Sequence, residues 1–236
     1  MNFASGDIPS VIVVTGTDTG VGKTVTTAAL AAALHRRGRT VAVYKPVQTG
    51  SAHGDSDIAE VRRLCGDVTA HAGTVLREPL APLPAAEFDR IALPTVAEHA
   101  RRVRELARVH DHVVVEGAGG LLVELDDSGA TIADLAQAMD DGGTRPGVVV
   151  VTRAALGTLN HTALTLEALE RRGLRVLGLV LGLRPRQPGL AERGNILRLA
   201  SWDVPLVGAI PEGAPLLASE EFGASSAVWL AGLVPA

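Results

Sequence analysis

Six short runs of β-branched and apolar residues recur along the chain, with Gly-, Thr- or Pro-rich turns after them and helical patterns between them. The runs cover 11–15, 40–44, 113–116, 148–152, 176–181 and 206–210. The helical patterns cover 22–37, 57–65, 95–109, 131–139, 159–172 and 190–200. Runs that are apolar at every position, not at alternate ones, are buried on both faces. That requires a mostly parallel sheet with helices on each side. Regular alternation of the two element types then predicts an α/β, three-layer, doubly wound fold. At 236 residues and 47% apolar content, the chain is long enough to fill one such core and short for two, so a single domain over 1–236 is expected. The opening "MNFASGDIPS" has neither a basic stretch nor an apolar one and reads as a disordered leader over 1–10. The Pro-rich piece "REPLAPLPAAE" (77–87) reads as a structured loop near the site.

Composition narrows the function. Aromatic residues make up 3% of the chain and the formal net charge is −4, which argues against nucleic acid and anionic membrane as partners. The longest apolar run near the end, "VLGLVLGL", is far too short to span a bilayer. A single cysteine, Cys65, permits no intrachain disulfide, so a reducing, cytoplasmic setting is expected.

In a doubly wound sheet the ligand sits outside the carboxyl ends of the strands. The six turns that leave those ends hold nearly all the glycine and polar chemistry of the chain: "TGTDTGVGKT", "YKPVQTG", "VEGAGGLLVEL", "VTRAALGTLNH", "LGLRPRQPG" and "GAIPEGAP". The first has the Gly-Lys-Thr core of a phosphate loop, with its first glycine at Gly16, one place earlier than G-x-x-x-x-G-K-[ST] requires. The amides over Gly20, Val21, Gly22, Lys23, Thr24 and Val25 suit an oligophosphate at a helix N-terminus. Lys23 suits the β- and γ-phosphates, and the Thr24 hydroxyl suits Mg²⁺. The chromosome-partitioning and septum-placement ATPases carry an additional lysine early in this loop, where the chain has Asp18.

Lys45 and Thr49 close the second strand run, and Lys45 beside a phosphate loop is a second cation for charge developing on a transferring phosphoryl group. Mg²⁺ takes oxygen ligands. Glu116, ending an apolar run, needs a partner for its charge. In "GDSDIAE", Asp57 begins the next helix and is the second metal candidate, or a plain helix cap. Asp55 reads as a solvated loop charge. The side-chain-poor "GAGG" at 117–120 can hold an anion with backbone amides. No Ser, Cys or His lies in a nucleophile motif, and the histidines show no metal spacing.

The motifs "GTDTGVGKT", "YKPVQTG", "VEGAGGLLVEL", "LGTLNHTALTLEAL" and "GAIPEG", in this order and spacing, closely resemble the dethiobiotin synthetases over almost the whole chain, including the early loop glycine. The resemblance implies a ligase that joins CO₂ to 7,8-diaminononanoate with ATP and Mg²⁺. The reaction passes through a carbamate and a carbamic-phosphoric anhydride to dethiobiotin, ADP and phosphate. It also implies roles for individual residues. Thr19, Lys23, Lys45 and Thr49 surround carbamate and γ-phosphate, and Thr24, Asp57 and Glu116 hold Mg²⁺. Gly117, Ala118, Gly119, Gly120 and Leu122 line the diamine, and Gly119 also borders the nucleotide. Gly157, Thr158, Leu159 and Asn160 hold the substrate carboxylate across a homodimer interface. One departure is specific. Members that read adenine do so with an Asn just after the fifth strand, where this chain has Gly182 and Leu183. The base is then left to backbone around Gly182, Pro211, Glu212 and Gly213, and weak selectivity among nucleoside triphosphates is expected. Cobyrinic and cobyric acid amidoligases use related loops but need a glutaminase domain with a catalytic cysteine, for which the chain has no room. A partitioning-type ATPase switch acting with a protein partner is the alternative from a different functional class.

Overall fold

A computed structural model describes residues 8–54, 56–140 and 145–234; Asp55 lies outside them. Seven strands form one sheet: β1 (Val11–Gly16), β2 (Val41–Gln48), β3 (Thr69–Val75), β4 (His112–Gly120), β5 (Gly147–Thr152), β6 (Arg175–Arg184) and β7 (Leu206–Pro211), in the spatial order β3-β2-β4-β1-β5-β6-β7. Every pairing between these strands is parallel. Period-two burial divides their side chains between two cores. Ile12, Val14, Val43, Val149, Val151 and Val180 face helices α1 (Lys23–His35), α2 (Asp57–Cys65) and α8 (Ser219–Trp229). Val11, Val13, Val113, Val115, Val148 and Val150 face the opposite layer, which includes α4 (Val96–Ala107) and α5 (Ile132–Met139). Helices α6 (Thr158–Arg171) and α7 (Leu190–Ala200) lie on that second side through Leu169 and Leu199. α1 is the most deeply packed helix: its run Ala28–Leu34 is buried throughout, and small alanines let it lie close against the sheet.

The six expected strands and six expected helices are all present, with ends shifted by a few residues. Three elements were not anticipated. β3 is an edge strand with the half-exposed sequence "TAHAGTV", so it lacks the apolar signature of the buried strands. α3 (Pro82–Asp89) occupies much of the Pro-rich piece read as loop. Its prolines lie in the first turn, where a missing N–H costs nothing. α8 is interrupted in sequence by Gly223 and a serine pair, yet packs Phe222 edge-on against Trp229 in the core. At the start of the chain, residues 8–10 do not behave as leader. Ile8 packs on the core, and the Pro9 and Ser10 carbonyls accept from His112 and Val113.

Behind the sheet, His99 of α4 is 1% exposed, with Nδ1 2.7 Å from the Tyr44 hydroxyl and Nε2 buried without a partner. Burial depresses its pKa, outweighing the opposing pull of Asp126 and Glu98. A histidine that resists protonation when folded and takes a proton at its ordinary pKa of about 6.5 when unfolded subtracts stability as pH falls through that value. Thermal melts should therefore show the midpoint dropping from pH 7 to pH 5.5, and His99→Gln should flatten that drop. An unchanged slope in the variant would remove His99 as its source.

Candidate phosphate-transfer site

The carboxyl ends of β1, β2 and β4 meet where the strand order reverses about β1, and the turns that leave them enclose a cavity of about 860 Å³. The β1–α1 turn folds over itself because Gly20 and Gly22 adopt left-handed backbone, at φ 72° and 96°, which side-chain-bearing residues rarely adopt. Gly22 caps α1 without any side-chain acceptor, so the first-turn amides are left to a ligand. Lys23 begins the helix and curls back, its Nζ donating to the Asp18 carbonyl at 3.0 Å. Burial, then the neighbouring Lys45, lowers its pKa to about 8, against the opposing pull of Glu116, Asp57 and Asp18. Asp18, at the position of the partitioning ATPases' extra lysine, instead pairs with Arg153 at 3.3 Å and accepts the Thr19 amide at 2.8 Å.

The centre of the cavity is a buried ionic cluster. Lys45 Nζ lies 2.9 Å from Glu116 Oε1 and also pairs with Asp57 Oδ2. It donates further to the Gly117 carbonyl at 3.3 Å. The Thr24 hydroxyl lies 2.7 Å from Asp57 Oδ1 and 2.9 Å from Glu116 Oε1. Burial alone would lower the Lys45 pKa, but the two carboxylates together raise it above the usual lysine value. Burial would raise Asp57, but Lys45 and Thr24 hold its carboxyl below the usual range. Lys45 is thus charged at neutral pH, and so is Asp57.

Three oxygen-bearing residues on three elements converge here, and the Glu116 Oε2 atom is fully buried with no hydrogen-bond partner. An orphaned carboxylate oxygen beside a hydroxyl and a second carboxylate fits a hard divalent cation completed by water and phosphate oxygens. No group of three or more His, Cys, Asp or Glu side chains with metal-binding placement occurs among the described residues; the oxygen set here is two carboxylates and a hydroxyl.

Of the residues singled out in the sequence, Thr19, Gly20, Gly22, Lys23, Thr24, Val25, Lys45, Thr49, Asp57, Glu116, Ala118 and Gly119 line this cavity. Asp57 is not the cap of α2: Ser56 takes that place, accepting the Ala59 amide, which leaves the Asp57 carboxylate to Lys45 and Thr24. Prolines 79 and 82 with Leu80 and Ala81 form the outer wall, so the Pro-rich piece does border the site. Gly117, Gly120 and Leu122 lie on the β4 turn outside the lining, Leu122 half exposed. Gly157, Thr158, Leu159 and Asn160 form the start of α6, also outside it. Pro211 ends β7 and Glu212 and Gly213 follow it, where Glu212 accepts the Arg186 amide. Val21 is buried against Gly182. A Cβ on Gly182 would stand 2.0 Å from the Val21 carbonyl oxygen, and one on Gly22 would stand 2.4 Å from the Gly182 oxygen. The end of β6 therefore packs backbone to backbone on the phosphate loop, and no side chain, asparagine included, fits at 182 without moving that loop.

Gln48 was not anticipated. Its Oε1 accepts the Asp57 amide at 2.8 Å and its Nε2 donates to the Thr49 carbonyl at 2.7 Å, joining β2 to α2 across the cavity. Its only signal in sequence is an amide at the end of an apolar strand, two residues beyond a proline.

A family model described as an AAA domain matches residues 10–220. The ATP-dependent dethiobiotin synthetase BioD of Mycobacterium avium (strain 104) is 52% identical over 219 residues, 92% of this chain and 94% of that protein. The protein of the same name from Rhodococcus jostii (strain RHA1) is 50% identical over 222 residues, 93% of this chain and 94% of that one. Among solved structures, the septum site-determining protein MinD of Pyrococcus horikoshii OT3, complexed with Mg-ADP, superposes with a TM-score of 0.56 over 96% of this chain and 95% of that one. At 18% identity that similarity concerns the fold.

Lys45→Met removes the counter-charge of two buried carboxylates and should destabilise the ligand-free protein at neutral pH by about 3–5 kcal/mol. The loss should shrink in acid, as the orphaned carboxyls take up protons. Urea unfolding at pH 7 and pH 5 checks both statements; equal stability of variant and parent at pH 7 would show that Lys45 does not neutralise the cluster.

Proposed function

This chain belongs to the ATP-dependent dethiobiotin synthetases, ligases that form C–N bonds, and from that premise we propose how its own residues carry out the reaction. The observation that carries the reading is the convergence of Lys23, Thr24, Lys45, Asp57 and Glu116 at a helix-capping phosphate loop, with no Ser–His or Cys–His pair among them. The substrate is a vicinal diamine, 7,8-diaminononanoate. One amine attacks CO₂ and loses a proton, giving a carbamate. A carbamate oxygen then attacks the γ-phosphorus of ATP and ADP departs, leaving a carbamic-phosphoric anhydride. The second amine attacks the anhydride carbon, phosphate leaves with the bonding pair, and the cyclic urea of dethiobiotin is closed. Each nucleophile belongs to a substrate, so the protein's task is positioning and charge compensation.

The backbone amides from Gly20 to Val25 and the Lys23 ammonium take the β- and γ-phosphates. Thr24, Asp57 and Glu116 are the residues that would hold Mg²⁺, which when bound supplies charge neutralisation on the phosphate oxygens. Lys45, already charged, serves the transferring phosphoryl group, with Thr19 and Thr49 beside it at the cavity wall. The diamine lies along residues 117–120 and Leu122, and its carboxylate meets Gly157, Thr158, Leu159 and Asn160 across a homodimer interface. The chain acts as a single domain in a cytoplasmic setting; no helix among the described residues is long and apolar enough to cross a membrane. The base is held by backbone near Gly182 and residues 211–213.

Phosphate release should require both diaminononanoate and bicarbonate, measured by coupled assay with either omitted. Release indifferent to both, but raised by a protein partner, would favour an ATPase switch instead. CTP, GTP and UTP should replace ATP with losses of less than about tenfold in kcat/KM, because a site without a two-point contact to the base forgoes the large discrimination that buried hydrogen-bonding groups provide. A strong preference for ATP over all three would refute backbone-only recognition of the base.

A further inference from the structure

The turn between β5 and α6 is fixed by Asn195, Thr152 and Thr162, side chains that none of the roles above uses, together with Thr158. Asn195, on α7 and 8% exposed, donates its amide to the Ala154 carbonyl at 2.8 Å and the Ala155 carbonyl at 3.2 Å. The Ala155 carbonyl also accepts the Thr158 amide, the first of α6, at 3.2 Å. Under the same turn, the fully buried Thr152 hydroxyl lies 2.7 Å from that of Thr158 and 2.8 Å from that of Thr162. The cap of α6 is Gly157, at φ 92°, with no side chain to hold the turn from within. The orientation of the first α6 amides is thus set from outside, by Asn195 on one side and the threonine cluster on the other.

We infer that Asn195 is a positioning residue for recognition of the substrate's carboxylate. It locks the Ala154 and Ala155 carbonyls, and through them the amides that begin α6, while Thr152 and Thr162 hold the same turn from the core side. The inference rests on the reading of residues 157–160 as the carboxylate site. A buried side-chain amide that satisfies two turn carbonyls costs free energy to place in a core and is retained where the backbone must keep one geometry. The amide here reaches 40 residues along the sequence to a turn with a glycine cap, whose other side-chain ties are the threonine hydroxyls and the ion pair of Arg153 with Asp18.

The test compares 7,8-diaminononanoate with 2,3-diaminooctane, the same diamine without its carboxylate, by calorimetric Kd in parent, Asn195→Ala and Asn160→Ala proteins. Asn195→Ala should weaken binding of the acid about tenfold, the order expected for losing a buried hydrogen-bonded support, and leave binding of the carboxylate-free diamine and of ATP unchanged. Equal weakening of both diamines, or of neither, would overturn the positioning role. If Asn160→Ala discriminates between the diamines and Asn195→Ala does not, the carboxylate site stands and this inference alone fails. If neither variant discriminates, the assignment of residues 157–160 fails first. Should Asn195→Ala not fold, Thr162→Val carries the same comparison, since it removes the 2.8 Å contact to Thr152 while keeping shape; it should show the same selective loss, and a Kd unchanged for the acid would overturn the inference.

Discussion

The ammonium of Lys45 between the carboxylates of Asp57 and Glu116 is the interaction on which the architecture of the site depends. Two carboxylates at the end of an apolar sheet, one of them fully buried, cannot both stay ionised without a cation. Lys45 supplies it from β2, Glu116 from β4 and Asp57 from α2, while the Thr24 hydroxyl of α1 bonds both acids. Four elements are therefore pinned at one point by charge. The same point carries the Glu116 Oε2 atom, buried without a hydrogen-bond partner, and one ammonium set against two carboxylates leaves a formal negative charge that suits a divalent cation.

Around that cluster, backbone does much of the work that side chains do elsewhere. The phosphate loop closes on left-handed glycines and then rests against the β6 end at Gly182, with no room for a Cβ on either partner. Its other flank is held by Asp18, which takes the Arg153 guanidinium, the Thr19 amide and, through its carbonyl, the Lys23 ammonium. The loop is thereby tied to both the β5 turn and the end of β6. Packing at 182 also leaves no room for a side-chain amide at that position.

Much of this was legible in the sequence because buried parallel strands and phosphate loops have strong local signatures. Continuous apolar runs located six strands, and the turns after them located Lys23, Thr24, Lys45, Asp57 and Glu116, which meet in space as expected. What escaped was set by tertiary context. β3 is half exposed at an edge, so its pattern is mixed. α3 hides behind prolines that a first helical turn tolerates, and α8 behind a glycine. Gln48, Arg153 and Asn195 act through hydrogen bonds or ion pairs to other elements, and no spacing in one sequence marks such partners; Ser56 is a local cap whose Ala59 partner lies three residues on.

The cavity draws its lining from the turns after β1, β2 and β4, together with α2 and the start of α3. Phosphoryl transfer to a carbamate needs no nucleophile from the protein, so no triad has to be kept within one rigid element. What the sheet fixes is the separation of the turns that leave β4, β1 and β5, three adjacent strands. Parallel strands of one sheet hold such a separation well, because β1 is hydrogen-bonded directly to both β4 and β5 in fixed register. The cluster at Lys45 fixes one end of that span by charge. Asn195 and the Thr152 hydroxyl fix the turn at the other end by hydrogen bonds drawn from the core.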